Sequence, residues 1–592
     1  MACEVKGSGW LKRASAGPFC VGSAALLVAA LPSVVAAQGV PSGVPSGAGV
    51  PTRDQLQGVT GEASPPPSPR LTIKGDIERA ACPLADPQYA DIKVTIGHVT
   101  FNGLKGASAA ELESAWKPFT SGPQPIATLC EIRDAAGTIL RNKGYLAAVQ
   151  VPTQRIENGE VRMEVLYARV TAIRARGETR GAERKLQQYL EKLTRDEIFD
   201  RNKAERYLLL ARDLPGYNVQ LTLRPAGTAP GELVGEVSVL RDPFVADLSI
   251  QNLASKATGR WGGQLRAQAF GLTGLGDVTT LSYYATADFT EQHILQASHE
   301  FRPGSEGLVL GGQFTYAWTR PDIGPLPGGI ELKARTLFAS LYGRYPLVRS
   351  QRANVWLGAG FDLVNQDVDL IGPLSRDRLR VLWTRLDLDA IDTSRVAPAW
   401  RASGSLELRQ GLSILNATRG CTITCAVGTS RADGKPDATV LRAQGEYERA
   451  LGKFSLAVLP RAQVAFSPLL GFEEFSGGNY TVGRGYDPGE LTGDSAVGAA
   501  IELRGPRLPV GRGDIHVQPY VFGDAVWAWN KGVPGTNRLV SAGGGLRSEL
   551  GERFRLDATL AVPLERAGLP MRRPDPRFLV TLTTRLLPWR TN

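Results

Sequence analysis

The sequence predicts a transmembrane β-barrel of about sixteen antiparallel strands, preceded by two small α+β domains, on three observations. From Asp247 to the last residues, apolar and polar side chains alternate with period two and helical periodicity is absent. Between Asp91 and Leu240 one β-α-α-β-β pattern occurs twice, which makes it an internal repeat. The N-terminus carries Lys6, Lys12 and Arg13, an apolar run from Phe19 to Leu31, and Val35-Ala36-Ala37 before Gln38, the layout of a secretory signal with a small-residue cleavage site.

Average composition hides this architecture. At 592 residues, with 43% apolar content and a mean hydropathy of −0.13, the chain reads like a soluble protein. A barrel conceals its apolar half in the alternation, so its mean stays near zero. Beyond the N-terminus no run of about 18 apolar residues occurs, which excludes an ordinary helical span. The net charge of +10 comes from basic residues spread along the chain and interleaved with acids, so no nucleic-acid partner is expected. Arginines lining a water-filled lumen account for the charge.

The signal covers residues 1–37, and the mature chain would begin near Gln38 in an oxidising compartment. Four cysteines follow, Cys82, Cys130, Cys421 and Cys425, which allow three pairings. Cys82 with Cys130 and Cys421 with Cys425 is the expected arrangement, and a metal site is the alternative. The four histidines His98, His293, His299 and His516 are scattered away from the cysteines in sequence, so neither a metal nor a cofactor is expected.

Residues 38–90 contain two Pro/Gly/Ser-rich stretches that cannot bury enough apolar surface to order themselves, and they are expected to form a flexible linker. The patch Thr52 to Gln57 between those stretches could form one helical turn.

The first α+β domain is placed at 91–168. A strand is expected over Ile92–Phe101, a capping box at Ser108 and Glu111 opening a short helix to about Pro118, and a second box at Thr128 and Glu131 opening a helix that Gly144 ends. Strands Ala147–Ile156 and Glu160–Val170 follow, joined through Asn158-Gly159. The second copy, 169–243, is expected to hold a strand to Ala175, helices Glu183–Leu193 and Arg201–Asp213, and strands Tyr217–Arg224 and Glu232–Leu240.

The barrel is placed at 244–592. In Leu382 to Ala390, the residues Leu382, Thr384, Leu386, Leu388 and Ala390 share one face, and Trp383, Arg385, Asp387 and Asp389 share the other. Near the end Phe554, Leu556, Ala558 and Leu560 oppose Arg555, Asp557 and Thr559. Apolar outside and charged inside over many strands is the pattern of an outer-membrane barrel. Within it, Ser476 to Arg504 stands apart. Gly483 and Gly485 flank Arg484 before Tyr486, which suits a tight loop with φ > 0 that extends one cation.

An enzyme is not expected, because no zinc-protease, nucleophile-elbow or P-loop motif occurs. Gly271 to Gly276 is a hairpin connection, since no helix follows. Arg512-Gly513-Asp514 falls in a turn on the periplasmic side.

These residues resemble the two-partner secretion transporters, the haemolysin-activator-like branch of the POTRA-domain outer-membrane barrels. The resemblance rests on Arg141 to Pro152, on Leu208 to Gly216 with Gly231-Glu232-Leu233, on Gly343 to Ser350, on the Val482 to Tyr486 loop with Asp494 and Glu502, and on Pro519 to Ala525. It implies two periplasmic POTRA domains and a sixteen-stranded barrel. It also implies that Arg484 of the loop, with Gly485 and Tyr486, folds into the lumen and pairs with Asp524, with Asp494 and Glu502 in support.

The implied function is export of a large, β-helical exoprotein that the POTRA domains bind unfolded. The implied surroundings are outer-membrane lipid and the barrel assembly machinery. An insertase that assembles other barrels is the alternative within the superfamily. The chain departs from the family in having Gly483 before Arg484 and Val526 after Ala525, and in ending without an aromatic residue.

Overall fold

The computed structural model describes residues 50–59, 81–177, 183–226, 231–322, 324, 331–395, 397–419, 427–511, 515–551, 553–567 and 572–588. The expected signal, Cys421, Cys425 and Arg512 to Asp514 lie outside the described residues.

The first α+β unit is a three-stranded sheet with Glu160–Tyr167 at its centre. His98–Asn102 pairs parallel to that strand and Ala147–Gln150 antiparallel. Helix Thr128–Asn142 covers one face with Leu129, Ile132, Ala136 and Leu140, which recur every three or four residues and are all buried. It stops where Gly144 takes φ +100°.

Three local expectations change. The strand expected over Ile92–Phe101 breaks at Gly97 into Lys93–Thr95, which pairs with Pro123–Pro125, and His98–Asn102. The capping box at Ser108 and Glu111 is present but opens a 3₁₀ helix, Ala109–Ala115. The longer helix is capped by Ala127, leaving Thr128 buried inside it.

In the second unit Glu232–Arg241 lies between Arg169–Gly177 and Tyr217–Pro225, with helices Glu183–Thr194 and Arg201–Arg212 packed against the sheet. The two units are joined by backbone hydrogen bonds from Leu146 to Phe199 and from Phe199 to Ala168. Ala168 is fully buried in the second core. Helix Arg201–Arg212 and its C-terminal neighbour Asp213 fix this unit to the end of barrel strand Lys333–Arg349. Arg349 donates to both Asp213 carboxylate oxygens at 2.7 and 2.6 Å, and Arg206 donates to the Pro346 carbonyl at 2.9 Å.

Among the described residues the closed sheet runs through sixteen antiparallel strands, from Phe244–Gln251 to Arg577–Leu587, with the short Leu508–Val510 as a side pairing. The alternation places Leu382, Leu386 and Leu388 outside, 49, 40 and 46% exposed. Arg385 and Asp387 between them face inward and pair at 2.7 Å. The same outward leucines recur at Leu265, Leu281, Leu341, Leu406 and Leu560, forming an apolar belt.

The expected linker over 38–90 contains ordered pieces. Arg53–Val59 is a helix whose Leu56 is buried among Tyr284, Ile294, Phe338, Val364 and Phe472 of the barrel. Cys82 is joined to Cys130, with Cα atoms 5.9 Å apart, which ties Pro83–Tyr89 to the first α+β unit. Composition underestimated this stretch because the apolar and charged partners that order it come from elsewhere in the chain.

Candidate functional site: a loop folded into the lumen

The connection between barrel strands Phe454–Ala465 and Ser495–Arg504 turns back on itself. Phe475–Gly477 pairs with Leu491–Gly493 as a short hairpin, and the intervening residues pack with Val482 and Tyr486 against Ala496, Val526, Ala528 and Leu539 of the wall. Only one of the two glycines beside Arg484 uses a positive φ. Gly483 has φ +113°. Gly485 is required by space, because a Cβ there would lie 2.8 Å from the Pro563 nitrogen and 3.0 Å from the Ser541 Cβ.

Arg484 points along the wall. Its Nη1 lies 2.7 Å from Glu502 Oε1, its Nε 3.8 Å from Asp524 Oδ2, and its guanidinium 4.2 Å from the centre of the Phe522 ring. Asp524 holds the loop chiefly through the backbone, accepting the Arg484 N–H at 3.1 Å and the Ser541 hydroxyl. Ser541 in turn accepts the Gly485 N–H at 3.1 Å. The expected pairing of Arg484 with Asp524 therefore becomes a division of work. Glu502 takes the charge, and Asp524 fixes the backbone that presents it.

Glu502 is buried and serves three cations. Arg504 Nε is 2.8 Å from Oε2, and Arg547 donates at 3.1 and 3.0 Å while stacking 4.1 Å from the Tyr520 ring. A carboxylate shared among three guanidiniums makes each pair separately breakable. Tyr486 is fully buried; its hydroxyl donates to the Val540 carbonyl and accepts the Glu565 N–H, each at 2.9 Å. Asp494 does not approach Arg484. It closes the base of the hairpin, accepting Arg431 at 2.6 Å and the N–H groups of Leu469 and Lys531, each at 2.7 Å.

A second charged centre escaped the sequence reading. Arg409 is buried among Asp362 at 2.9 Å, Glu407 at 3.0 Å and Glu473 at 2.8 Å. Glu407 also takes Arg53 of the lumen helix at 2.8 Å. The signal was present, since Glu407 and Arg409 alternate with the exposed Leu406 and Leu408. Alternation says that they face inward without saying what they meet. Among the described residues no group of His, Cys, Asp and Glu is arranged to hold a metal.

Known proteins resemble parts of this chain. Residues 383–548 match the family of haemolysin secretion/activation proteins ShlB/FhaC/HecB, and residues 94–167 match the ShlB-type POTRA domain. The heme/hemopexin transporter protein HuxB of Haemophilus influenzae is 27% identical over 175 residues, which cover 28% of this chain and 30% of that protein. CdiB from Escherichia coli has TM-score 0.70 at 16% identity, over 90% of this chain and 96% of that one. CdiB from Acinetobacter baumannii has TM-score 0.63 at 17% identity, over 87% and 95%. At those identities the two solved structures speak for the fold. With a POTRA domain, which lies in the periplasm, joined to an outer-membrane barrel, the chain is similar over residues 383–548 to the haemolysin secretion/activation (ShlB/FhaC/HecB) family and over residues 94–167 to its POTRA domain.

Proposed function

We propose that the protein is the membrane partner of a two-partner secretion system. Its POTRA domains, read as 91–168 and 169–243, bind an unfolded exoprotein in the periplasm, and the barrel, 244–592, conducts it to the surface. The single observation that carries this reading is a lumen occupied by two parts of the chain that no covalent cross-link fastens to the wall among the described residues. The helix Arg53–Val59 and the in-folded loop are held by ion pairs and hydrogen bonds to the wall. A passive pore needs no such obstruction.

The exoprotein we expect is large and β-helical. It would pair by main-chain hydrogen bonds with strands at the margins of the two sheets, His98–Asn102 in the first unit and Tyr217–Pro225 in the second. Folding of the emerged chain would give direction without nucleotide, cofactor or enzymatic chemistry. Outer-membrane lipid and the barrel assembly machinery are the remaining partners, and nucleic acid is none. The insertase alternative is weakened by the two α+β units read here, since insertases commonly carry more POTRA units.

Deleting 91–240 tests the reading. The barrel should insert and conduct ions while secretion of its exoprotein is lost. Secretion at normal levels from that deletion would place recognition elsewhere.

A further inference from the structure

The barrel closes by pairing its first strand, Phe244–Gln251, with its last, Arg577–Leu587. The first strand has eight residues, the shortest of the sixteen, and its ladder runs only from Gln251 opposite Thr581 down to Ala246 opposite Leu587. On the last strand Arg577 to Val580 continue above this ladder and pair as a strand with Phe554–Pro563, while toward the first strand the backbone adds one bond, from the Asn252 N–H to the Val580 carbonyl at 3.1 Å. At the extracellular end, then, the seam needs another fastening. In hydrocarbon an unpaired strand edge is costly.

Two fastenings are local. The Asn252 side chain acts as an extra peptide group, its Oδ1 accepting the Val580 N–H and its Nδ2 donating to the Phe578 carbonyl, both at 2.7 Å. Arg577, itself buried, donates to the Ala254 carbonyl at 3.4 Å. The third comes from the in-folded loop. Asp487 Oδ1 lies 2.8 Å from Nη1 of Arg577 and 3.0 Å from Nη1 of Arg260, while Oδ2 accepts the Lys256 N–H at 3.2 Å. Beside it the Tyr486 carbonyl accepts from Arg577 at 2.7 Å, and the Asn479 amide donates to the Leu253 carbonyl.

One carboxylate on the loop thus holds the first residue of the last strand together with two residues of the segment leaving the first strand. We propose that Asp487 is a clasp over the barrel's closing seam, so that the loop, while folded in, seals the extracellular end of that seam and, on withdrawing, releases it. Arg484 is separate from this contact, since its partners lie on Ser495–Arg504 and Ile515–Trp529. The clasp is a property of the barrel and does not depend on which substrate is exported.

The test uses the full chain inserted in outer membranes. Asp487→Ala and Asp487→Asn should each lower, by several degrees, the temperature at which the folded band converts to the unfolded one on electrophoresis. Oxidised cysteines at 249 and 583, whose native hydroxyls are 3.2 Å apart across the seam, should restore it. Hydrogen exchange of a peptide spanning Arg577 to Thr583 in purified Asp487→Asn should be several-fold faster than in the parent. An unchanged conversion temperature, a lowered one that the formed disulfide does not restore, or unchanged exchange would each overturn the clasp. Loss of secretion with conversion temperature and exchange unaltered would likewise overturn the clasp and assign Asp487 to transport instead.

Discussion

Arg484 and Glu502 meet at 2.7 Å inside the barrel, and the same Glu502 is also held by Arg504 and Arg547. The loop arginine is therefore one of three cations on a shared carboxylate. Its departure leaves Glu502 compensated by Arg504 and Arg547, while Asp524 gives up the Arg484 N–H and keeps the Ser541 hydroxyl.

This sharing sets an asymmetry between Arg484 and Glu502. Arg484→Ala removes a charged hydrogen bond worth roughly 1–3 kcal/mol. Glu502→Gln should disturb more, because it leaves Arg504 and Arg547 with weakened partners. In a double-mutant cycle on secretion, Arg484→Ala with Glu502→Gln should be clearly non-additive. Asp524→Asn should act mainly through loop order, raising protease cleavage between Gly478 and Glu490. Strictly additive losses for Arg484 and Glu502 would dissolve the pair.

The lumen helix is tied by Arg53 to Glu407 at 2.8 Å and packed by Leu56. Breaking a buried pair destabilises by roughly 3–5 kcal/mol, less here because Arg409 still serves Glu407. Arg53→Ala and Leu56→Ala should therefore raise single-channel conductance or open probability in planar bilayers, and the two together more so. Conductance equal to the parent in the double variant would mean that the helix does not obstruct the lumen.

The Cys82–Cys130 bridge closes a stretch with a sequence separation of 48, and it should stabilise the first POTRA domain by about 2–4 kcal/mol. Substituting both cysteines by serine should lower protection of helix Thr128–Asn142 in hydrogen exchange and leave barrel heat-modification unchanged. Thiol titration of the native protein should find neither cysteine free.

Acid should loosen the start of that same domain. Glu111 accepts from Lys143 at 2.5 Å and from the Ser108 N–H at 2.7 Å. The Lys143 hydrogen bond, then that of Ser108, bring its pKa from the ordinary 4.5 down to about 2. A lowered carboxylate contributes stability that is complete above the ordinary value and lost as pH falls through the lowered one. Protection of the segment Ser108 to Phe119 should be level from neutral pH to about 5 and decline toward about 2. Glu111→Gln should lack that step, and a parent that loses protection near neutral pH would contradict the assignment.

The sequence by itself determined the architecture and the sides of its walls. Period-two alternation assigns Glu407, Arg409, Glu502 and Asp524 to the lumen, because a charge facing lipid is costly and the strand period leaves only two faces. The repeat of helices and strands between Asp91 and Leu240 was legible for the same reason, since each element carries its own periodicity and its own stop signals. Only the tertiary structure decided who meets whom. Arg484 reaches Glu502 sooner than Asp524 because the hairpin of Phe475–Gly477 with Leu491–Gly493 sets where the loop enters, and sequence spacing carries no such depth. The helix Arg53–Val59 lies in a stretch too poor in apolar residues to announce itself. It is ordered by Glu407, Val364 and Phe472, more than 300 residues along the chain, which barrel closure brings around it.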